Sequence, residues 1–417
     1  MKDNFKTTIY MKHFYLSFAL LFIATTFWNC SDDSNMGIGS IDEPVATKSF
    51  AEDDGSTNLS QRSTGYKSYK LLQAAGPEVG MSLGNISITD EQYAEIKAFT
   101  DELVAGCVTD EQIHSIVHSW LVNNIQYEYY GYVDNNPYPV FKSKKAICQG
   151  YANLMKVMLH SQGVPCVLTN GYIPAGGHAW CNAYFNGTWY ASDPTNNHYF
   201  KSSAYGNNKH YEPTSIDAVL FEDEFCTYSY YEAQLNVNSI KEGHETVSIP
   251  YSAGGFIVSM LSPIINVPTS VKEIYVGANI TSFGENIIGL SARSTTIERI
   301  HIDPVNTKFE SFSTGVYYKD RTGDNLLMVA PAAKHIELKP IALFDKECVI
   351  KGLPNLETIT FVPGTAKIDA WAVERCPKLH TVYMPQETIV DGSAFTGVSG
   401  AFRIIRGNYT NIPQIKF

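Results

Sequence analysis

The chain has 417 residues, more than one ordinary hydrophobic core organises, so at least two domains are expected. Its composition, 44% hydrophobic and 18% charged with 26 Tyr and 21 Phe, is that of a soluble globular protein. A formal net charge of −11 argues against a nucleic-acid binder, which needs clustered Lys and Arg against phosphate, and suits a solvated secreted protein.

At the N-terminus, Lys12 and His13 lead into the apolar run Leu16–Phe27. The run is too short to span a bilayer and has the charged flank and apolar middle of a signal peptide, with Met11 an alternative start. Cys30 follows, then "SDDSN". This resembles a bacterial lipoprotein signal, which implies lipidation of Cys30 and an outer-membrane or cell-surface location through a lipid anchor. Asn29 departs from the usual Gly or Ala before that cysteine. Seven cysteines remain, Cys107, Cys148, Cys166, Cys181, Cys226, Cys348 and Cys376, without a CxxC or a close Cys/His cluster. Neither a zinc site nor a disulfide framework is suggested, and no metal or cofactor is expected.

Residues 31–75 are rich in Ser, Asp, Gly and Thr and read as a flexible tether. A helix is expected from Thr109, where Thr109 and Gln112 form a capping box and Ile113, Ile116, Val117, Trp120 and Leu121 follow at helical spacing. His114 and His118 lie one turn apart on it, but "HSIVH" fails the zinc-protease pattern, so a structural or solvated pair is expected. A second helix starts at Cys148, carries Tyr151, Leu154, Met155, Met158 and Leu159 on one stripe, and stops before Gly163 and Pro165. Strands follow at Cys166–Tyr172 and His178–Phe185, and Asn186-Gly187 turns the chain into Thr188–Asp193.

Beyond about residue 240 the sequence changes to short β-like runs. "LPNLETITFVPGTAKIDAWAVERC" aligns with "CPKLHTVYMPQETIVDGSAFTG" at an offset of 23 that slips to 22 after one deletion. Pro268–Gly289 reads as a more degenerate copy. A period in the twenties with one strand per unit indicates a solenoid, and these units resemble the leucine-rich repeats of bacterial surface antigens.

The hairpin brings chemistry together. A two-residue turn at 186–187 makes cross-strand partners sum to 373, placing Trp180 opposite Asp193 and His178 diagonal to Asp193 on one face. An imidazole beside a carboxylate is what a thiol nucleophile requires, because the thiolate is the attacking species and a cysteine pKa near ~8.5 leaves little of it at neutral pH. A helix N-terminus lowers that value, and Cys148 is placed at one. Free cysteine is also among the most buried residue types, so Cys148 as a core thiol is the competing reading. Cys166 and Cys181 are open to a cross-strand disulfide or to two buried thiols.

"CQGYANLMKVMLHSQGVPC", "GGHAWCNAYF" and "GTWYASDPT" occur in this order and together resemble the transglutaminase-like superfamily over roughly 85–235. The resemblance implies a papain-like core, a nucleophile helix on an antiparallel sheet, with Cys148 as nucleophile, His178 as base and acid, and Asp193 as orienting carboxylate. Tyr127, in "NIQYEYY", is a candidate second oxyanion donor, and Gln149 and Trp180 are candidate cleft residues. The expected fold is α+β, a papain/transglutaminase-like core followed by a β-rich leucine-rich-repeat-type solenoid. The expected divisions are a signal peptide over 1–30, a tether over 31–75, the core over 76–240, repeats over 241–405 and a tail over 406–417. The expected activity is acyl transfer from protein or peptide amides through a thioester, with water the default acceptor and crosslinking or deamidation open. The rival reading is a non-catalytic adhesin whose repeats bind a protein or glycan.

Overall fold

The computed structural model of the protein describes residues 64–129, 133–206, 211–282, 296–320, 323–339, 343–344 and 350–407. The expected signal peptide, Cys30, the tether before Thr64, Cys348, part of the degenerate repeat copy and most of the tail lie outside these residues.

The expected tether is shorter than 31–75, because Thr64–Ala75 forms helix α1. Its polar composition hides two fully buried residues, Leu71 and Leu72, and Trp189 Nε1 donates to the Leu72 carbonyl at 3.0 Å. Helix α2 spans Asp90–Leu103 and α3 spans Asp110–Asn124, each opened by a complete Thr/Gln capping box. In α3, Gln112 N donates to Thr109 Oγ1 at 3.2 Å and Thr109 N donates to Gln112 Oε1 at 3.3 Å. A two-residue strand β1, Gln126–Tyr127, leads on to α4, Pro137–Ser143. Strand β2, Lys145–Ala146, then pairs in parallel with β1 just before α5, Cys148–Ser161. Gly163 ends that helix at φ 75.

The strands β3 (Cys166–Ile173), β4 (Gly176–Phe185) and β5 (Thr188–Asp193) lie within a residue or two of their expected bounds. Asn186 and Gly187 sit at φ 51 and 73, the left-handed values a type I′ hairpin needs. The pairs Phe185–Thr188 through Cys181–Ser192 follow the expected register. The chain continues through β6 (His198–Lys201), β7 (Glu212–Glu222), β8 (Cys226–Tyr231) and β9 (Gln234–Ile240). Next come β10 (Thr246–Ile249), β11 (Ser252–Ala253) and β12 (Phe256–Asn266). One nine-stranded sheet runs β11-β12-β9-β8-β7-β3-β4-β5-β6. The division expected at residue 240 therefore cuts a sheet, since β12 pairs in parallel with β9.

Strand β10 begins the stacked coils, pairing in parallel with β13 (Glu273–Val276), which pairs in turn with β14 (Arg299–Ile302). An antiparallel meander of β15 (Phe309–Phe312), β16 (Gly315–Asp320) and β17 (Gly323–Val329) is inserted there. The regular solenoid follows. Its coils contribute β18 (His335–Leu338), β19 (Leu343–Phe344) and β20 (Ile350–Lys351), then β21 (Thr358–Phe361), β22 (Lys367–Ile368) and β23 (Val373–Glu374). The last are β24 (Thr381–Met384), β25 (Ile389–Val390), β26 (Phe395–Thr396) and β27 (Arg403–Arg406). They form three parallel ladders, β18-β21-β24-β27, β19-β22-β25 and β20-β23-β26. The sequence slip is visible in the pairing. Ile359 meets Val382 at an offset of 23, and Ile368 meets Val390 at an offset of 22. Ile336, Ile359 and Val382 form its buried column, and Leu338 and Phe361 lie beside them.

Candidate active site

Cys148 is the first residue of α5 and is 3% exposed. The preceding Ile147 is extended and gives the helix no side-chain cap. A β-branched apolar residue is a poor cap, so the cap position itself brings no carboxylate or hydroxyl to the positive helix end. The first turn holds through Gly150 N to the Ile147 carbonyl at 2.9 Å. Gly150 is tightly enclosed: a Cβ there would lie 2.7 Å from Ala146 Cβ and 2.8 Å from Asn135 Oδ1. Helix α5 packs on β4, the strand of His178. It lies on the side where Ala179, Cys181 and Ala183 join its core cluster, and Cys181 Sγ donates to the Ala152 carbonyl at 3.3 Å.

His178 and Asp193 are brought together as the register predicts. Their Nε2 and Oδ2 are 2.8 Å apart, with both residues at least 95% buried. Asp193 is the hub of a wider set. Asn196 Nδ2 donates to Oδ2 at 2.8 Å and Tyr211 Oη at 2.7 Å, while the Thr195 and Asn196 amides reach Oδ1 at 3.1 and 3.4 Å. Burial pushes this carboxyl up, but the His178 hydrogen bond and charge, with Tyr211 and Asn196, outweigh it and hold the pKa below the ordinary value. An ionised carboxylate accepts only, so His178 Nε2 is the donor of the pair.

Trp180 departs from the expected cleft position. It is completely buried, its Nε1 donates to Tyr205 Oη at 2.6 Å, and its ring stacks 6.1 Å from that of His178. It backs the imidazole rather than lining an opening, because the β4 alternation turns Trp180 into the cluster with Phe200, Tyr205 and Tyr211. Gln149 is half-buried and donates to Asn153 Oδ1 at 2.9 Å. Tyr127 pairs across the short parallel ladder with Ala146, two residues before Cys148, and its ring lies 6.3 Å from that of Tyr151. The structure thus sets Tyr127 beside the start of the helix that Cys148 begins.

His114 and His118 are buried and share one partner, Ser192 Oγ, at 2.8 and 3.0 Å. Burial lowers their pKa values to about 3 and about 4, so both are neutral structural histidines at ordinary pH. Cys166 and Cys181 are free buried thiols. Asn196 and Tyr211 join the site beyond the residues that the sequence singles out. Asn196 follows Asp193 by three residues, within reach of a local side-chain turn, whereas Tyr211 carries no local signal.

Residues 97–194 match the family model of the transglutaminase-like superfamily, a span that includes Cys148, His178 and Asp193. The chain therefore carries a transglutaminase-like core of helices and sheet, followed by a β-solenoid. It is 22% identical over 144 residues to the kyphoscoliosis peptidase of Homo sapiens, covering 27% of this chain and 22% of that protein, so it spans less than a quarter of that relative's length. Among solved structures it is similar to the periplasmic domain of TgpA from Pseudomonas aeruginosa, at 17% identity and TM-score 0.24, over 27% of this chain and 46% of that one. It is also similar to a leucine-rich repeat protein from Eubacterium ventriosum, at 15% identity and TM-score 0.25, over 36% of this chain and 40% of that one.

Proposed function

We propose that the protein is a thiol enzyme of the transglutaminase-like, cysteine-peptidase type acting on amide bonds of a protein or peptide. The observation that carries this is the buried His178–Asp193 pair at 2.8 Å, whose histidine is on β4, the strand against which the Cys148 helix packs. A carboxylate is costly to bury without partners, and this one is furnished with Tyr211 and Asn196 as added donors.

In this reading Asp193 fixes the Nε2–H tautomer of His178, leaving Nδ1 to exchange protons with the thiol. The Cys148 thiolate attacks the amide carbonyl, and the oxyanion is met by the Cys148 backbone N–H with Tyr127 as second donor. His178 gives its proton to the departing amine as the C–N bond breaks, leaving a thioester. Water then attacks, His178 takes its proton, and the acid leaves as the thiolate is restored. A primary amine in place of water would give transfer instead. We place the enzyme at the outer membrane or cell surface through lipidated Cys30, with the solenoid holding a protein or glycan ligand.

The test is alkylation by iodoacetamide at pH 6, where an ordinary thiol is only about 0.3% thiolate. Wild type should label at Cys148 about 10²-fold faster than a model thiol, Cys148→Ala should lose that label, and Asp193→Asn should lose most of the advantage. A wild-type Cys148 that labels no faster than the model thiol would falsify the proposal.

A further inference from the structure

The segment that delivers Cys148 is held by an arrangement that none of the catalytic steps uses. Helix α4 is capped at its C-terminus by Lys144, a non-glycine residue in the left-handed region at φ 59, ψ 29, with its amide donating to the Val140 carbonyl at 2.9 Å. That conformation costs on the order of 1 kcal/mol for a residue bearing a Cβ, so something holds it. The Lys144 ammonium lies 4.2 Å from the ring centre of Phe141, 4.5 Å from that of Trp120 and 5.7 Å from that of Phe99. The three rings come from α4, α3 and α2 and pack on one another, Phe99 at 5.0 Å from Trp120 and 5.2 Å from Phe141. The flanking lysines are engaged elsewhere, Lys142 with Glu95 at 2.8 Å and Lys145 with Glu128 at 3.5 Å. Burial lowers the Lys144 pKa, with Lys142 adding to the effect, as expected of an ammonium set against rings.

The backbone beyond this anchor connects two parts of the candidate site at once. Gln126 N donates to the Lys144 carbonyl at 2.8 Å and Glu128 N to the Ala146 carbonyl at 3.0 Å, which fixes Tyr127 between them. Four residues after Lys144 the same strap becomes the first turn of the helix bearing Cys148. A shift at Lys144 therefore moves the thiol and the oxyanion candidate relative to the sheet. We propose that Lys144, clamped by Phe99, Trp120 and Phe141, is a positioning residue that sets Cys148 and Tyr127 in place, an inference that rests on Cys148 being the nucleophile. A caged cation is suited to this, since cation–aromatic attraction strengthens as the site is desolvated and fixes the stem of a long side chain.

The experiment follows the rate of Cys148 alkylation by iodoacetamide from pH 4 to 9 on the full chain, beside its melting temperature. Lys144→Met keeps the length and the backbone strain but removes the cation, and should slow labelling at pH 6 about tenfold with the thiolate titration displaced upward, since misplacement by about 1 Å costs up to 10²-fold. Lys144→Arg keeps a cation for the rings and should label within about twofold of wild type. Trp120→Leu, or Phe99→Leu if that variant does not fold, opens the cage while leaving the charge, and should slow labelling in the same way. The inference is overturned if Lys144→Met retains the wild-type rate and pH profile. It is equally overturned if Lys144→Met is slow but the opened cages are not, because charge at a distance then accounts for the effect. A wild-type Cys148 that titrates as an ordinary thiol removes the functional reading and this inference together, whereas a fast wild type with indifferent variants removes this inference alone.

Discussion

The transglutaminase-like core and the solenoid bury polar side chains in different ways. In the solenoid, Asn306 bonds the Ile280 carbonyl and the Lys308 and Phe309 amides, while Thr388 donates to the Thr365 carbonyl at 2.7 Å. Such contacts close turns in the backbone. In the core Ser68, Thr100 and Ser161 also bond local carbonyls, but other buried side chains bond one another across elements: His178 and Tyr211 to Asp193, His114 and His118 to Ser192, and Asn182 to Thr169, Ser202 and Tyr205. Backbone-directed contacts serve a coil that repeats, whereas side-chain networks fix particular atoms in space at a desolvation cost that an apolar core avoids. The contrast sets the His178–Asp193 region apart before any role is assigned.

The sharpest way to break the comparison is to damage the solenoid. Ile359 is completely buried in the central ladder between Ile336 and Val382. Ile359→Ala should cost about 2–5 kcal/mol of stability in urea unfolding, while Cys148 alkylation in folded protein stays within about twofold of wild type. Coupled loss of both would mean that the two regions do not divide the work as their buried polar groups indicate.

The acid response should come next in size and arise in the core. His114 and His118 are neutral in the fold, with pKa values of about 3 and about 4 set first by burial, against ~6.5 for an unfolded histidine. The unfolded chain therefore takes up protons first, and stability present above pH ~6.5 falls as pH drops toward about 4. Asp193 adds loss in the same direction only below its unfolded value of ~3.9, since its depressed carboxyl stabilises the fold while ionised. Denaturation at pH 7.5 and 4.5 should differ by on the order of a few kcal/mol, and His114→Leu, which removes one titration, should narrow the gap. An unchanged gap would refute the assignment to these histidines.

How far this arrangement can be read from the residues depends on how local the contacts are. Asn186-Gly187 fixes the hairpin register, because a two-residue turn leaves no freedom in which residues face each other, and His178 and Asp193 follow from it. The repeat offset is legible for the same reason: successive coils pair residue for residue. Helix α1 is not legible, since Leu71 and Leu72 are stabilised by burial against distant strands rather than by local periodicity. Nor is the extent of the sheet, where β12 joins β9 in parallel without a turn to announce it. Strand alternation gives the face of Trp180, but whether that face opens to solvent depends on Tyr205 and Tyr211 covering it.

The smallest expected effect probes Tyr211, the member of the site furthest from local sequence logic. Its hydroxyl donates to Asp193 Oδ2 at 2.7 Å, on the same oxygen that receives His178. That bond is one of those lowering the Asp193 pKa, so Tyr211→Phe should let the carboxyl pKa rise and move the acid limb of the Cys148 alkylation profile to higher pH. A hydrogen bond to a charged group contributes about 1.5–3 kcal/mol, but His178 and Asn196 remain on the same carboxylate. The rate near neutral pH should therefore fall only about threefold to tenfold. Tyr211→Phe keeps the ring that packs on Trp180 at 5.3 Å, so melting should change little. A displaced acid limb with unchanged melting assigns Tyr211 to the charge network, and a lowered melting temperature with an unmoved limb assigns it to the aromatic wall.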